Sequence, residues 1–367
     1  MCDSNGRLAR LIAFYLPQYH PIPENDLWWG KGFVEWTNVG KAKPLYPGHY
    51  QPRVPADLGY YDLRVPESRQ EQAEMARKYG IEGFCYWHYW FGNGKRLLER
   101  PFNEVLESGK PDFPFCLGWA NESWRGFFHG VKTKETLIDQ LYPGKDDYIA
   151  HFNAVLPAFK DKRYIKVEGK PVFLIYQPLN NKAEIMCLME LWQELARENG
   201  LQGIYFIGHT YNYDSCREEL EGMGFDAINP VRMFDYQKRQ KGLKLRSKLF
   251  HNLFNVPYVV PYDQASRYFV TDAEKAERVY PTLIPNWDHT PRTGRKGLVL
   301  HGSDPEKFES HLKETLDLVS HKSPEHRIIF VKSWNEWAEG NYLEPDRKFG
   351  NGYLESVGRN VLKNKEK

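Results

Sequence analysis

Ile328-Ile329-Phe330-Val331-Lys332-Ser333-Trp334-Asn335-Glu336-Trp337-Ala338-Glu339-Gly340 is a short apolar run that breaks directly into two glutamates. Its first residues have the β-branched and aromatic character of a buried strand. Acids placed where a strand ends are how parallel βα folds present their chemistry. Glu336 and Glu339 are therefore the candidate catalytic pair. At a spacing of three they share a face if the chain turns helically after Asn335, with Cβ atoms roughly 5–6 Å apart, and lie on opposite faces if the strand continues. Gly340 favours the turn.

Working outward, similar runs occur at residues 8–16, 83–87, 115–119, 172–176, 204–208, 227–229 and 282–285, which with 328–333 make eight predicted strands. The run at 227–229 is the weakest. Helical patterns lie between them at 67–79, 148–159, 183–199, 217–223 and 305–320, several followed by glycine. Eight strand–helix units, with no Gly-rich phosphate loop after the first strand, predict a single (β/α)8 barrel domain over residues 1–367. Two connections are too long for turns and so invite function. One follows strand 1; the other, residues 231–278, is a basic insertion after strand 6.

The rim of such a barrel is unusually rich in Trp, His, Asn and acids. Trp29, Glu35 and Trp36 follow strand 1, Trp87 and His88 strand 2, and Trp119, Asn121 and Glu122 strand 3. His209 ends strand 5, Asn286, Trp287 and Asp288 follow strand 7, and Asn335 and Trp337 flank the acid pair. Polar groups beside flat apolar faces suit a hydroxyl-rich ring, which needs paired hydrogen bonds and offers a C–H face for stacking. Cleavage of a glycosidic bond needs two carboxyl groups, about 5–5.5 Å apart in retaining enzymes. Apolar flanks and mutual proximity should split their pKa values, with Glu122 as a reserve carboxylate. Taken singly, each rim residue is better read as a packed aromatic or a satisfied polar group; it is their convergence that points to a cleft.

The 50 Lys and Arg against 48 Asp and Glu give no electrostatic footprint for nucleic acid. No HExxH or CxxC spacing occurs and the five cysteines, Cys2 among them, are scattered, so no metal, cofactor or disulfide framework is expected. Nor does a GxSxG elbow mark a serine nucleophile. The N-terminus lacks a signal-peptide pattern, which predicts a cytoplasmic protein. Residues 238–254, from Lys238 to Phe254, combine six basic residues with Leu249, Phe250, Leu253 and Phe254. That stretch reads either as a solvated helix or as a peripheral membrane contact or a contact with a lipid-linked glycan.

Three long motifs resemble the WbsX-type proteins of bacterial surface-polysaccharide gene clusters: FYLPQYHPIPENDLWWGKGFVEWTNV at 14–39, YWFGNGKRLLERPFNEVL at 89–106 and WNEWAEGNYLEPD at 334–346. The resemblance runs nearly end to end, and the family is similar to the endo-α-mannosidase glycoside hydrolases. It implies a barrel enzyme in which Glu336 acts as base on the sugar's own 2-hydroxyl and Glu339 as acid for the leaving group, without cofactor. The implied substrate is an α-mannoside- or α-rhamnoside-like linkage in a cell-surface polysaccharide. Two further readings stand beside it: a glycosyltransferase of O-antigen or capsule biosynthesis, and a non-catalytic glycan-binding protein. Gln177, Ser123-Trp124-Arg125-Gly126-Phe127-Phe128 and Asp288-His289-Thr290 depart from the family pattern, which implies different subsite contacts.

Overall fold

The computed structural model describes residues 6–126 and 135–362; Cys2, Phe127 and Phe128 lie outside them. Eight parallel strands form its centre: β1 (Arg10–Tyr15), β2 (Ile81–Trp90), β3 (Phe115–Trp119), β4 (Lys170–Ile175), β5 (Tyr205–Thr210), β6 (Ala227–Pro230), β7 (Thr282–Leu283) and β8 (Ile328–Val331). The hydrogen-bonded order is β6-β5-β4-β3-β2-β1-β8-β7. The ends meet through an Ile228–Val279 bridge, with Tyr280 N–H donating to the Ile228 carbonyl at 2.9 Å. The sheet thus closes into the expected barrel, and all eight runs are strands. The sixth, weak in sequence, is held by side chains: Asn229 Nδ2 donates to the Tyr280 carbonyl and to Thr282 Oγ1, and Thr282 Oγ1 donates to the Pro230 carbonyl.

Helices Pro66–Lys78, Lys145–Lys160, Lys182–Glu198, Tyr213–Gly222 and Pro305–Val319 cover the outside near their predicted positions. Inside, Phe14 stacks on Trp87 at 4.7 Å and on Phe330 at 5.1 Å, filling the barrel centre with flat rings. Residues 231–278 are more than a loop. They contribute helix Lys241–Phe254 and strand Tyr258–Pro261, which pairs in parallel with Leu298–His301. A second apolar cluster, including Met233, Tyr262 and Trp287, ties this insertion to the chain after β7.

The segment that follows β8 is clipped to β1. Asn335 Oδ1 accepts from Leu16 N–H at 2.8 Å, while its Nδ2 donates to the Leu16 carbonyl at 3.1 Å and to Tyr61 Oη at 3.2 Å. Asn335→Ala leaves these buried groups unpaired and is expected to lower the unfolding free energy by about 2 kcal/mol in urea denaturation. A wild-type unfolding midpoint would show that the clip carries no stability.

Candidate functional site

The chain does turn after Asn335. Asn335–Glu336 pairs antiparallel with Asn341–Tyr342, and a 3-10 turn, Trp337–Glu339, joins them. In such a turn positions i and i+3 eclipse, so Glu336 and Glu339 face the same way and their carboxyl groups hydrogen bond to each other. Gly340 closes the turn at φ 55°, and a Cβ there would lie 2.6 Å from the Asp288 Cβ. Glycine is required on both counts.

Both carboxyls open onto a cavity of about 670 Å³ at the C-terminal ends of the strands. Its walls carry the aromatic faces of Trp87, Tyr89, Trp124, Tyr176, Tyr211 and Trp287. Burial, then the neighbouring charge of Glu339, pushes the Glu336 carboxyl well above the usual range. Burial acts on Glu339 in the same direction, but Arg292, then Lys332 and His289, outweigh it and hold Glu339 well below. Arg292 Nη1 lies 2.5 Å from Glu339 and its Nη2 2.6 Å from Glu35, so one guanidinium spans two carboxylates. The Lys332 ammonium stands 3.7 Å from Glu336 Oε2, an oxygen that is buried without a hydrogen-bond partner. Burial, with Glu339's charge second, pushes Glu122 up to about 7. Burial, mutual repulsion and the neighbouring cations thus pull the two carboxyls apart, Glu336 upward and Glu339 downward, so that the pair tends to hold a single proton between them.

Of the sequence-predicted residues, Trp87, Glu122, Trp287, Glu336 and Glu339 line the cavity. The others build its frame. Asp288 sits beneath the acid turn. Its N–H donates to the Glu339 carbonyl, and its carboxylate accepts from His49 Nε2 at 2.8 Å and Gln51 Nε2 at 2.7 Å. Asn286 Oδ1 accepts from Tyr342 N–H, and Trp337 Nε1 donates to Glu344 at 2.6 Å. Trp36 donates to the Tyr61 carbonyl and packs on Trp337, while Trp29 packs on Phe33. Glu35 serves the site through Arg292. Trp119 donates to the Trp90 carbonyl, and Asn121 braces Gln177 and Tyr142.

The predicted histidines are not cleft contacts. His88 turns outward to a buried hydrogen bond with His151, 2.8 Å away, and His209 bonds Asn229 within the barrel. Burial pushes each down to about 3. Strand alternation is the reason: Trp87 and Tyr89 point into the cavity, so His88 between them cannot. Arg292, Lys332, Tyr176 and Tyr211 were not singled out by sequence. Arg292 carried no local signal, since its importance lies in partners 47 and 257 residues away. Among the described residues no three His, Cys, Asp or Glu side chains form a metal-binding group.

The family model described as "Glycosyltransferase WbsX" matches residues 11–357. The uncharacterized WxcX proteins of Xanthomonas campestris pv. campestris, strains ATCC 33913 and B100, are each 37% identical to this chain. The match covers 95% of this chain and 49% of theirs, so the chain spans about half the length of these curated relatives. Among solved structures, a "glycoside hydrolase-like protein" aligns with a TM-score of 0.59 at 14% identity, over 96% of this chain and 94% of the other. The GH99 endo-alpha-mannosidase from Bacteroides thetaiotaomicron aligns with a TM-score of 0.58 at 16% identity, over 98% and 97%. These two likenesses are of fold.

Arg292→Gln removes the largest influence holding Glu339 down. The Glu339 carboxyl is expected to titrate at higher pH in the variant, by at least one pH unit, as followed by carboxyl-carbon NMR. An unmoved Glu339 titration would show that the guanidinium does not set its charge.

Proposed function

The chain belongs to the family described as Glycosyltransferase WbsX, and from that premise we propose a carbohydrate-active enzyme that breaks or transfers glycosidic bonds of a bacterial cell-surface glycan. The observation that carries this reading is the glutamate pair: two carboxyls in contact at the floor of an aromatic cleft, one pushed up and one held down. A pair holding one proton and one charge contains an acid and a base at once.

In the proposed reaction a sugar's 2-hydroxyl enters against the unpaired Glu336 Oε2. A donor arriving there favours the ionised form of Glu336, and the proton passes across the shared hydrogen bond to Glu339. Arg292 stays paired with Glu35 as the charge on Glu339 is lost. Glu336 then takes the 2-hydroxyl proton as that oxygen attacks the anomeric carbon, and Glu339 protonates the departing oxygen. The glycosidic C–O bond breaks and a 1,2-anhydro sugar forms. Water or an acceptor hydroxyl opens that ring, giving its proton to Glu339 while Glu336 returns one to O2. Two displacements at one carbon give net retention. The geometry requires a 2-hydroxyl trans to the leaving group, as in α-mannosides or α-rhamnosides, and the substrate is an oligo- or polysaccharide, free or lipid-linked.

The family's description favours a second reading, transfer from an activated sugar donor in polysaccharide assembly. Incubation with α-mannosyl and α-rhamnosyl oligosaccharides, with and without nucleotide sugars, separates the two. Turnover that needs a nucleotide sugar and survives both Glu336→Gln and Glu339→Gln would sink the glutamate-pair reading. Under that reading each substitution lowers kcat at least ~10³-fold on an unactivated substrate. An aryl glycoside, whose leaving group needs no proton, restores Glu339→Gln and leaves Glu336→Gln inactive; the reverse pattern exchanges the roles. Activity is also expected to be bell-shaped in pH. It falls on the acid side as the second carboxyl gains a proton and on the alkaline side as the shared proton leaves.

A further inference from the structure

Helix Lys241–Phe254 is built with its apolar stripe facing out. Leu243 packs on the second apolar cluster and Ser247 is buried, while the His251 ring stacks on Tyr258 at 4.1 Å, so these positions at spacing four face the protein. The opposite face carries Leu245, Leu249 and Leu253, which are 68%, 52% and 66% exposed, with Phe250 and Phe254 beside them. Among the described residues, those five are nearly half of the eleven large hydrophobic side chains left exposed, and they fall within ten residues. Single exposed leucines need no explanation; a contiguous stripe does.

Charge identifies what the stripe meets. Lys241, Lys244, Arg246 and Lys248 flank it, and residues 238–254 contain no acid. Ion pairs engage the neighbouring Arg239, which bridges to Asp214, but none engages these four cations among the described residues. A protein partner could cover the leucines, yet cations on both sides of an apolar stripe complement a surface that is apolar within and anionic at its edge. No helix among the described residues is long and apolar enough to cross a membrane, so contact at the surface is the geometry left to this one.

We propose that helix Lys241–Phe254 seats this face on an anionic phospholipid bilayer, with the leucine stripe in the interface and the four cations on lipid phosphates. The insertion that carries the helix leaves β6 at the cleft end of the barrel and gives Met233 and Phe234 to the cleft wall. Docking therefore anchors to the bilayer, where glycans are carried on lipid, the same insertion that lines part of the cleft; the glycan consequence rests on the glycan reading of the cleft, whereas the docking itself does not.

The test is co-sedimentation of the full chain with phosphatidylcholine vesicles, with and without added phosphatidylglycerol. Partition onto the anionic vesicles is expected to exceed that onto neutral ones by roughly tenfold or more, and to weaken with salt. Leu245→Ser/Leu249→Ser/Leu253→Ser abolishes it, and Lys244→Glu/Lys248→Glu, which leaves the apolar face whole, reduces it by a similar factor. Glu339→Gln binds vesicles like the wild type, so a failed catalytic reading leaves this result intact. The proposal is overturned if anionic vesicles do not retain the wild-type chain, or if both multiple variants bind as well as it does. A concentration-dependent dimer that the triple leucine variant dissolves, with no lipid partition, would assign the face to a second copy instead.

Discussion

Two carboxyl groups held side by side away from water cannot both be charged unless cations compensate them, and this constraint organises the cleft. Glu336 and Glu339 are brought together by the eclipsed geometry of one 3-10 turn. The two cations that answer them differ in how they are held. Arg292 is fixed by Glu35 and Glu339 at once, a forked geometry a lysine could not match. Lys332 instead lies 5.5 Å from the Trp287 ring and 6.0 Å from that of Tyr211, whose faces attract a cation without supplying another carboxylate. One acid is left with its charge matched and the other with its proton.

That arrangement demands a rigid floor, and the floor comes from segments distant in sequence. The long chain after β1 supplies Glu35 to Arg292, His49 and Gln51 to Asp288, and Tyr61 to both Asn335 and Glu344. Glu344 gathers hydrogen bonds from Tyr61, Gln72 and Trp337. Burial still pushes it up to about 7, against the downward pull of those donors. A connection that looks like an open functional loop in sequence is mostly the support beneath the acid turn.

The barrel was legible because its strands are short apolar runs whose order and spacing follow from local composition. The acid pair was legible as a spacing, and the glycine after it as a turn. Rim residues were harder, since a strand end does not reveal its inward phase: Trp87 and His88 are neighbours in sequence yet face opposite ways. Arg292 and the Asp288 network were hidden for another reason. Their roles are defined by contacts across more than two hundred residues, and no local pattern encodes those. The basic stretch was ambiguous between a solvated helix and a contact surface, and only tertiary placement reveals that its leucines face outward.

In the proposed reaction the same pair can serve trimming or assembly of a glycan, and the step that separates them is the opening of the anhydro sugar. Water and a sugar hydroxyl compete there for one position beside Glu339. Aromatic walls favour the sugar, because a pyranose ring can stack its C–H face on Trp87 or Trp287 while water gains nothing from such surfaces. A cleft held against a bilayer also meets a higher local concentration of lipid-borne acceptors than of free ones, since confinement to a surface raises effective concentration. Under the proposed reaction and docking, both influences would push the chemistry from hydrolysis toward transfer without altering either glutamate. A hydrolase-like fold and a family described by glycosyl transfer are compatible on those terms, with the walls and the surroundings of the cleft deciding between them.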